Sequence, residues 1–247
     1  MAKERMRKRS GEEETVVAEE GSEFSPRKTR EEEQKERMLE SWIPKTDLGK
    51  KVKAGGIKTI EEIFASNAKI LEPEIVDSLI SLEEKMVEVK KTARVVRAGR
   101  KFSFRVTVLV GDRNKFVGVG TAKDVEKWPA ARKAARVAKL NLVEVRRGSG
   151  SWEAATTTDD NSVPFKVAGK CASVRVALLP APKGIGLVAG NNIKDVLMFA
   201  GIRDVWCKTK GNSPTMLNFI RATIDALSKT TKMRQSDDIA KKSGERK

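Results

Sequence analysis

The sequence predicts an α+β chain in two successive parts: helix, three strands and helix, then strand, strand, helix, strand and helix. Three observations carry that reading. Apolar spacing changes to period two from Lys85 and returns to a helical stripe after Pro129. The segment 146–162, RRGSGSWEAATTTDDNS, is low in apolar residues and separates the parts. Beyond it, short strand-like runs alternate with two helical ones. The expected organisation is a charged extension over 1–40, a first domain over 41–145, a linker over 146–162, a second domain over 163–229 and a tail over 230–247.

Each element has its own signal. Residues 1–40 carry the charge runs GEEET and REEEQKERMLE, as expected of a solvated or partner-ordered extension. A basic Gly-containing turn and two short helical patterns follow, with Pro73 at the first position of the second. In FSFRVTVLV, Phe102, Phe104, Val106, Val108 and Val110 share one face, and Ser103, Arg105 and Thr107 the other. That predicts a half-buried strand with a polar side. GDRNK is a turn. In the next strand, FVGVGTA, Phe116, Gly118 and Gly120 share a face, and two glycines on one face let a helix approach closely. Pro129 opens a helix expected to reach about Val143, with Ala131, Ala135, Ala138 and Leu142 as its apolar stripe. In the second part VPFKV and CASVRVALL predict a hairpin turning at Ala168-Gly169-Lys170. A helix runs from about Asn192 to Ala200 and is closed by Gly201. RDVWCKT reads as a strand; Ser213 caps and Pro214 opens a last helix to about Ser228.

Composition excludes much chemistry. The chain of 247 residues carries a net charge of +16, and residues 41–229 hold 34 basic against 19 acidic side chains, so the excess belongs to the folded part. Such a field favours a polyanion or an anionic membrane. With no histidine and no tyrosine, histidine general bases, histidine-assisted nucleophiles and histidine zinc ligands are all unavailable. The two cysteines, Cys171 and Cys207, fall in strands and are expected to be reduced, buried and inert; they are too few for a tetrahedral zinc site. No apolar run reaches the length of a membrane span, and MAKERMRKRS lacks the apolar segment of a secretory signal, so a cytosolic address is expected.

The candidate functional residues are cations. VVRAGRKFSF, residues 95–104, places Arg97, Arg100 and Lys101 around Gly99 at a hairpin tip. From Lys85 to Lys115 there are ten Lys or Arg against Glu88 and Asp112, which adds Arg94, Arg105, Arg113 and Lys115 to the set. Arg132 and Arg136 extend it along the following helix. Surface lysines can serve solubility alone, but arginine at a tip and along a polar strand face suits bidentate phosphate contact. A helix on a small sheet with cations on its loop also suits structured RNA read by shape. Aromatic content is only 5%, and the phenylalanines share the face expected to be buried, so base stacking is not the expected mode. Trp152 and Trp206 read as packing residues.

GIGLVA, 184–189, satisfies G-x-G-x-x-G/A, with Asp204 about 20 residues beyond, and so mimics a dinucleotide fingerprint. Pro180 and Pro182 stand where that fingerprint needs a tight turn off a strand, and no Gly-Lys-Ser/Thr follows. The other reading is a Gly/Pro surface loop that lets another macromolecule reach the backbone. Paired carboxylates, Glu61-Glu62, Glu83-Glu84 and Asp159-Asp160, lie on expected helices and in the linker, where solvation explains them. No enzyme and no cofactor is expected.

Taken together, RVVRAGRKFSFRVTVLVGDRNKFVGVGTAK with its alanine-rich basic helix, then SVRVALLPAPKGIGLVAG, FAGIRDVWCKTKGNSPT and NFIRATIDAL, closely resemble the small-subunit ribosomal protein family called S-five, in its archaeal or eukaryotic form. The resemblance covers about residues 41–234. It implies an amino-terminal domain resembling a double-stranded-RNA-binding domain and a two-layer α/β carboxy-terminal domain of unusual crossover hand. It implies that Arg97, Gly99, Arg100 and Lys101 meet small-subunit ribosomal RNA at the neck. It also implies that the loop and helix start around Gly184, Gly186, Asn191 and Lys194 face protein S-four, close to where messenger RNA enters. Proteins S-eight and S-three are further implied neighbours. Many archaeal relatives carry a Cys/His cluster between the domains; Ser149, Ala154 and Asn161 stand in its place here, so no metal is expected. The expected role is a structural constituent of the small ribosomal subunit, in the cytoplasm, supporting accuracy and assembly. The alternatives are a free-standing double-stranded-RNA-binding protein and a nucleotide-dependent oxidoreductase.

Overall fold

The computed structural model describes residues 41–149 and 160–232; the expected extension, most of the tail, the middle of the linker, Trp152 and Ala154 lie outside them. Three short helices come first, α1 (Asp47–Lys53), α2 (Ile60–Ala65) and α3 (Pro73–Leu79). Pro73 takes the predicted first-turn position. The additional helix, α1, lies in the stretch read as a basic turn. The Thr46 hydroxyl accepts from the Gly49 amide at 3.1 Å, and Asp47 at one end with Lys50, Lys51 and Lys53 at the other complement its dipole. Glu72 ties this segment to α3, its Oε1 accepting from the amides of Lys45 and Thr46 at 2.9 and 2.7 Å.

The first sheet is antiparallel in the order β1 (Glu83–Val96), β2 (Gly99–Gly111), β3 (Phe116–Asp124), β4 (Leu142–Glu144). Helix α4 (Lys127–Leu140) crosses one face, burying Ala130, Ala131, Ala134, Ala135 and Ala138. The expected close approach is present: a Cβ at Gly118 or Gly120 would fall on the α4 backbone at Ala134 and Ala138. The helix ends earlier than its pattern suggests. Asn141 leaves helical geometry, and Leu142, expected on the stripe, belongs to β4 and pairs with Gly118. A free β3 edge beside a Leu-Val-Glu run outcompetes one more helical turn.

The second sheet has the order β5 (Val167–Cys171), β6 (Val174–Pro180), β8 (Val205–Lys210), β7 (Leu187–Val188). Helices α5 (Asn191–Phe199) and α6 (Met216–Lys232) complete this part, and β7 runs parallel to β8 across α5. The β5–β6 turn is not at Gly169. It falls at Ala172-Ser173, with Ala172 at φ 53°, while Gly169 sits mid-strand where a Cβ would strike the α6 backbone at Ala222 and Ala226. Glycine is needed there for close packing, a requirement that its sequence pattern shares with a turn. Gly201 closes α5 at φ 75° as expected. Helix α6 begins at Met216 and runs to Lys232, not from Pro214 to Ser228 as expected: Ser213 and Pro214 stand in a turn in which the Thr215 amide donates to Asn212 O at 3.2 Å. Cys171 and Cys207 are free and half-buried, and burial pushes the Cys207 thiol up to about 11.

The two halves share a core. Leu109, Val117 and Val145 join Val174, Val176, Ile193, Val196 and Ile220 in one buried cluster. Thr107, expected on a polar strand face, is therefore fully buried with Leu109. Lys85 and Asp195 pair at 2.7 Å, and Thr231 Oγ1 donates to Glu144 O at 3.2 Å, across the same junction. Phe102 departs in the other direction: expected inside, it is 49% exposed, because β3 ends at Asp124, opposite Phe104. No helix among the described residues is long and apolar enough to cross a membrane.

Candidate nucleic-acid interface

Strands β1 and β2 form a long hairpin whose two-residue turn is Arg97-Ala98. Gly99, at φ 129°, is the first residue of β2 rather than the centre of the turn, and a Cβ there would meet nothing within 4 Å. Its glycine answers a backbone need, not a crowded one. Arg100 and Lys101 lie in the strand, opposite Val95 and Arg94. Alternation therefore divides the cations: Lys101 and Arg94 take one face, Arg100 and Phe102 the other. Arg94, Arg97, Gly99, Arg100 and Lys101 are all exposed, and among the described residues no carboxylate pairs with these four cations. Arg94 directly opposite Lys101 is a repulsive pair, which an anion laid across both would relieve.

The cationic face continues inward. Thr92 and Ser103 face each other with hydroxyls 2.9 Å apart, and next come Lys90 opposite Arg105 and Lys123 beside them on β3. The sequence reading missed Lys90 and Lys123. Their parity matches Arg105 only once the register is known, and that register contains a bulge between Met86 and Glu88. Lys90 is held at 2.6 Å by Glu88, whose side chain is 6% exposed. Arg105 is half-buried, with its Nε, Glu88 Oε2 and Thr107 Oγ1 all buried and without a hydrogen-bond partner.

Arg113 and Lys115 are not brought to this surface. They occupy the β2–β3 turn at the other end of β2, about 40 Å from Gly99 at strand rise. Arg113 is paired with Glu83 and Lys115 with Glu61, each at 2.7 Å. Asp112 Oδ1 organises that turn, accepting from the amides of Asn114, Lys115 and Phe116 at 2.8, 2.9 and 2.9 Å. Arg132 and Arg136 are exposed on α4, one turn apart.

The glycine-rich loop has a different construction. Gly184 and Gly186 have φ of 91° and 75°, and space is open where a Cβ would stand at either. Asp204 is 4% exposed and its Oδ1 accepts from the amides of Gly184 and Gly186 at 3.1 and 2.7 Å. The carboxylate that a dinucleotide fingerprint reserves for a ribose is thus spent on the loop itself. β7 also separates the glycines from α5, so no helix N-terminus follows them directly. Asn191 is exposed and Lys194 half-buried on α5. Beside this loop, Arg147, Asp160, Asn161, Lys183 and Arg203 line a cavity of about 260 Å³. Trp206, read as packing, is 41% exposed on β8 next to Val188. Among the described residues no group of three or more His, Cys, Asp or Glu could hold a metal.

The family model for ribosomal protein S5, N-terminal domain, matches residues 82–146, and that for the C-terminal domain matches residues 169–243. The chain belongs to the ribosomal protein S5 family. The first match begins just before β1 and so includes the whole hairpin; the second begins within β5 and takes in the glycine loop. The small ribosomal subunit protein uS5 of Methanocaldococcus jannaschii is 51% identical over 190 residues, spanning 76% of this chain and 87% of that one. That of Methanothermobacter thermautotrophicus is 45% identical over 207 residues, spanning 83% and 95%, and that of Pyrobaculum aerophilum 50% over 193, spanning 78% and 88%.

Proposed function

We propose that this S5-family chain is a non-catalytic structural constituent of the small ribosomal subunit in the cytoplasm, and that its β1–β2 tip neutralises phosphates of small-subunit ribosomal RNA. The observation that carries the reading is the set Arg94, Arg97, Arg100 and Lys101, exposed together with no carboxylate on any of them among the described residues. The cationic face through Arg105 extends the contact, and Arg132 and Arg136 give it a second edge on α4. Arg113 and Lys115 would serve a separate contact, since their partners and position divide them from the tip. The open loop at Gly184 and Gly186, with Asn191 and Lys194 on α5, is the surface for a neighbouring ribosomal protein. Protein S-four beside the messenger RNA path is the neighbour the family resemblance implies, with S-eight and S-three as others and the neck as the site on the RNA.

The test is Arg97→Ala/Arg100→Ala/Lys101→Ala in the full chain. Each lost phosphate contact lowers the slope of log affinity against log salt by about 0.9 on duplex, so losing three lowers it by about 2.7. An unchanged slope refutes the tip as the contact. Sedimentation of tagged protein from cells distinguishes a subunit constituent, which travels with small subunits, from a free-standing double-stranded-RNA binder.

A further inference from the structure

Phosphate contact through Arg100 and Arg132 leaves the exposed rings beside them unused. Phe104 pairs with Asp124, the last residue of β3, so Phe102 on the same face projects past the end of that strand, 49% exposed. At this same end α4 begins, with Trp128 in its first turn, 65% exposed, and Val125 between, 73% exposed. Each ring has an ammonium group on it: Lys91 Nζ stands 3.9 Å from the Phe102 centroid, and Lys127 Nζ 5.5 Å from that of Trp128. Arg132 follows Trp128 at the i+4 position and is exposed like it, which puts cation and ring on one helix face. Of the carboxylates at this end, Asp124 is engaged by Lys133 at 2.6 Å and by the Val125 amide at 2.7 Å, and Glu126 is exposed.

Two exposed rings at one end of a sheet mark a contact surface. The charge around them selects the partner. An apolar protein surface would have to desolvate Lys91, Lys127 and Arg132 without compensating them. A strand of RNA supplies both halves of the complement, flat apolar faces for the rings and phosphates for the cations. Paired bases are hidden inside a duplex, so the bases concerned are unpaired.

We propose that Phe102 and Trp128 are stacking sites for unpaired RNA bases, with Lys91, Lys127 and Arg132 on the flanking phosphates. This rests on the reading that the hairpin meets RNA, but adds base contact where that reading needs phosphate alone. The sequence argued against stacking because the phenylalanines share an alternating face; the early end of β3 is what leaves Phe102 uncovered.

The experiment uses the full chain and three labelled probes: a 12-nucleotide oligouridylate, an abasic strand of the same length, and a 16-base-pair RNA duplex. Anisotropy titrations should show the base-bearing strand bound about 25-fold tighter than the abasic one, about fivefold for each of two stacked bases at the low end of stacking on an aromatic side chain. Trp128→Ala and Phe102→Ala should each remove about fivefold or more of that preference, leave abasic and duplex binding and their salt slopes alone, and Trp128→Phe should retain most of it. Equal wild-type affinity for oligouridylate and abasic strand overturns the proposal without any variant having to fold. So do alanine variants that bind oligouridylate normally, including the case in which they instead lose a protein partner. The tip triple variant reads the other hypothesis: an unchanged salt slope there, with a Trp128→Ala defect present, sinks the phosphate tip and leaves stacking standing.

Discussion

Replacing Asp204 tests the construction of the glycine loop. The side chain is 4% exposed, and one oxygen, Oδ1, receives the amides of Gly184 at 3.1 Å and Gly186 at 2.7 Å. Both glycines hold a positive φ that glycine adopts without strain, and this lets the loop turn both amides onto one oxygen. Hydrogen bonds to a charged acceptor contribute about 1.5 kcal/mol each at the low end of their range, so Asp204→Ala should cost about 3 kcal/mol. For a chain of this size that is a fall in Tm of about 6–12 °C. Asp204→Asn keeps an acceptor oxygen in place but loses the charge, and should cost about half as much. Urea unfolding of the full-length protein, with the two variants beside the native sequence, measures both. A loss under about 0.5 kcal/mol for Asp204→Ala would refute the view that this carboxylate holds the loop. Calorimetry with a dinucleotide should show no binding heat in any of the three proteins, since the carboxylate is taken up by the loop amides in the native sequence and is absent from both variants.

Two further outcomes follow from packing and charge. Gly169→Ala puts a methyl group into the α6 backbone at Ala222 and Ala226 and should destabilise by about 2 kcal/mol or more, whereas Gly56→Ala, which meets only Lys51 O at 3.4 Å, should be nearly neutral in the same thermal melts. Lys139, with its side chain 12% exposed, lies 2.7 Å from Asp77 and 2.9 Å from Glu84. Burial alone pushes its ammonium down, but the hydrogen bonds and charges of those carboxylates outweigh this and hold it above the ordinary lysine value. A raised cationic pKa adds stability that is complete below the unfolded lysine's pKa and disappears as pH rises through the folded one. Lys139→Met should therefore lose about 1 kcal/mol at neutral pH. Its deficit should close in strongly alkaline solution; a deficit constant across that range would argue that packing, not charge, is what Lys139 supplies.

Much of the fold was legible because its signals are local. Period-two spacing in FSFRVTVLV, the paired glycines Gly118 and Gly120, Pro73 at a helix start and Gly201 at a helix end each state a short-range steric requirement, and each element formed. The failures share one cause. Leu142 was continued into a helix because a neighbouring strand edge is invisible in sequence. Gly169 was read as a turn because the same residue answers both a bend and a nearby helix backbone. Thr107 and Phe102 were assigned to the wrong environments because a strand face has no fixed surroundings until its neighbours end or arrive.

By itself the sequence determined the strong positive charge of the folded part, the absence of histidine chemistry, the order of the longer strands and helices without α1, β4 and β7, and the cations beside Gly99. Only the tertiary structure decided how those cations are shared between two strand faces, that Arg113 and Lys115 stand a full strand length away, and that Asp204 belongs to its own loop. Charge and short-range steric limits are properties of residues and their immediate neighbours. Register, strand length and the meeting of two sheets come from contacts between residues far apart in the chain, and no local pattern encodes them.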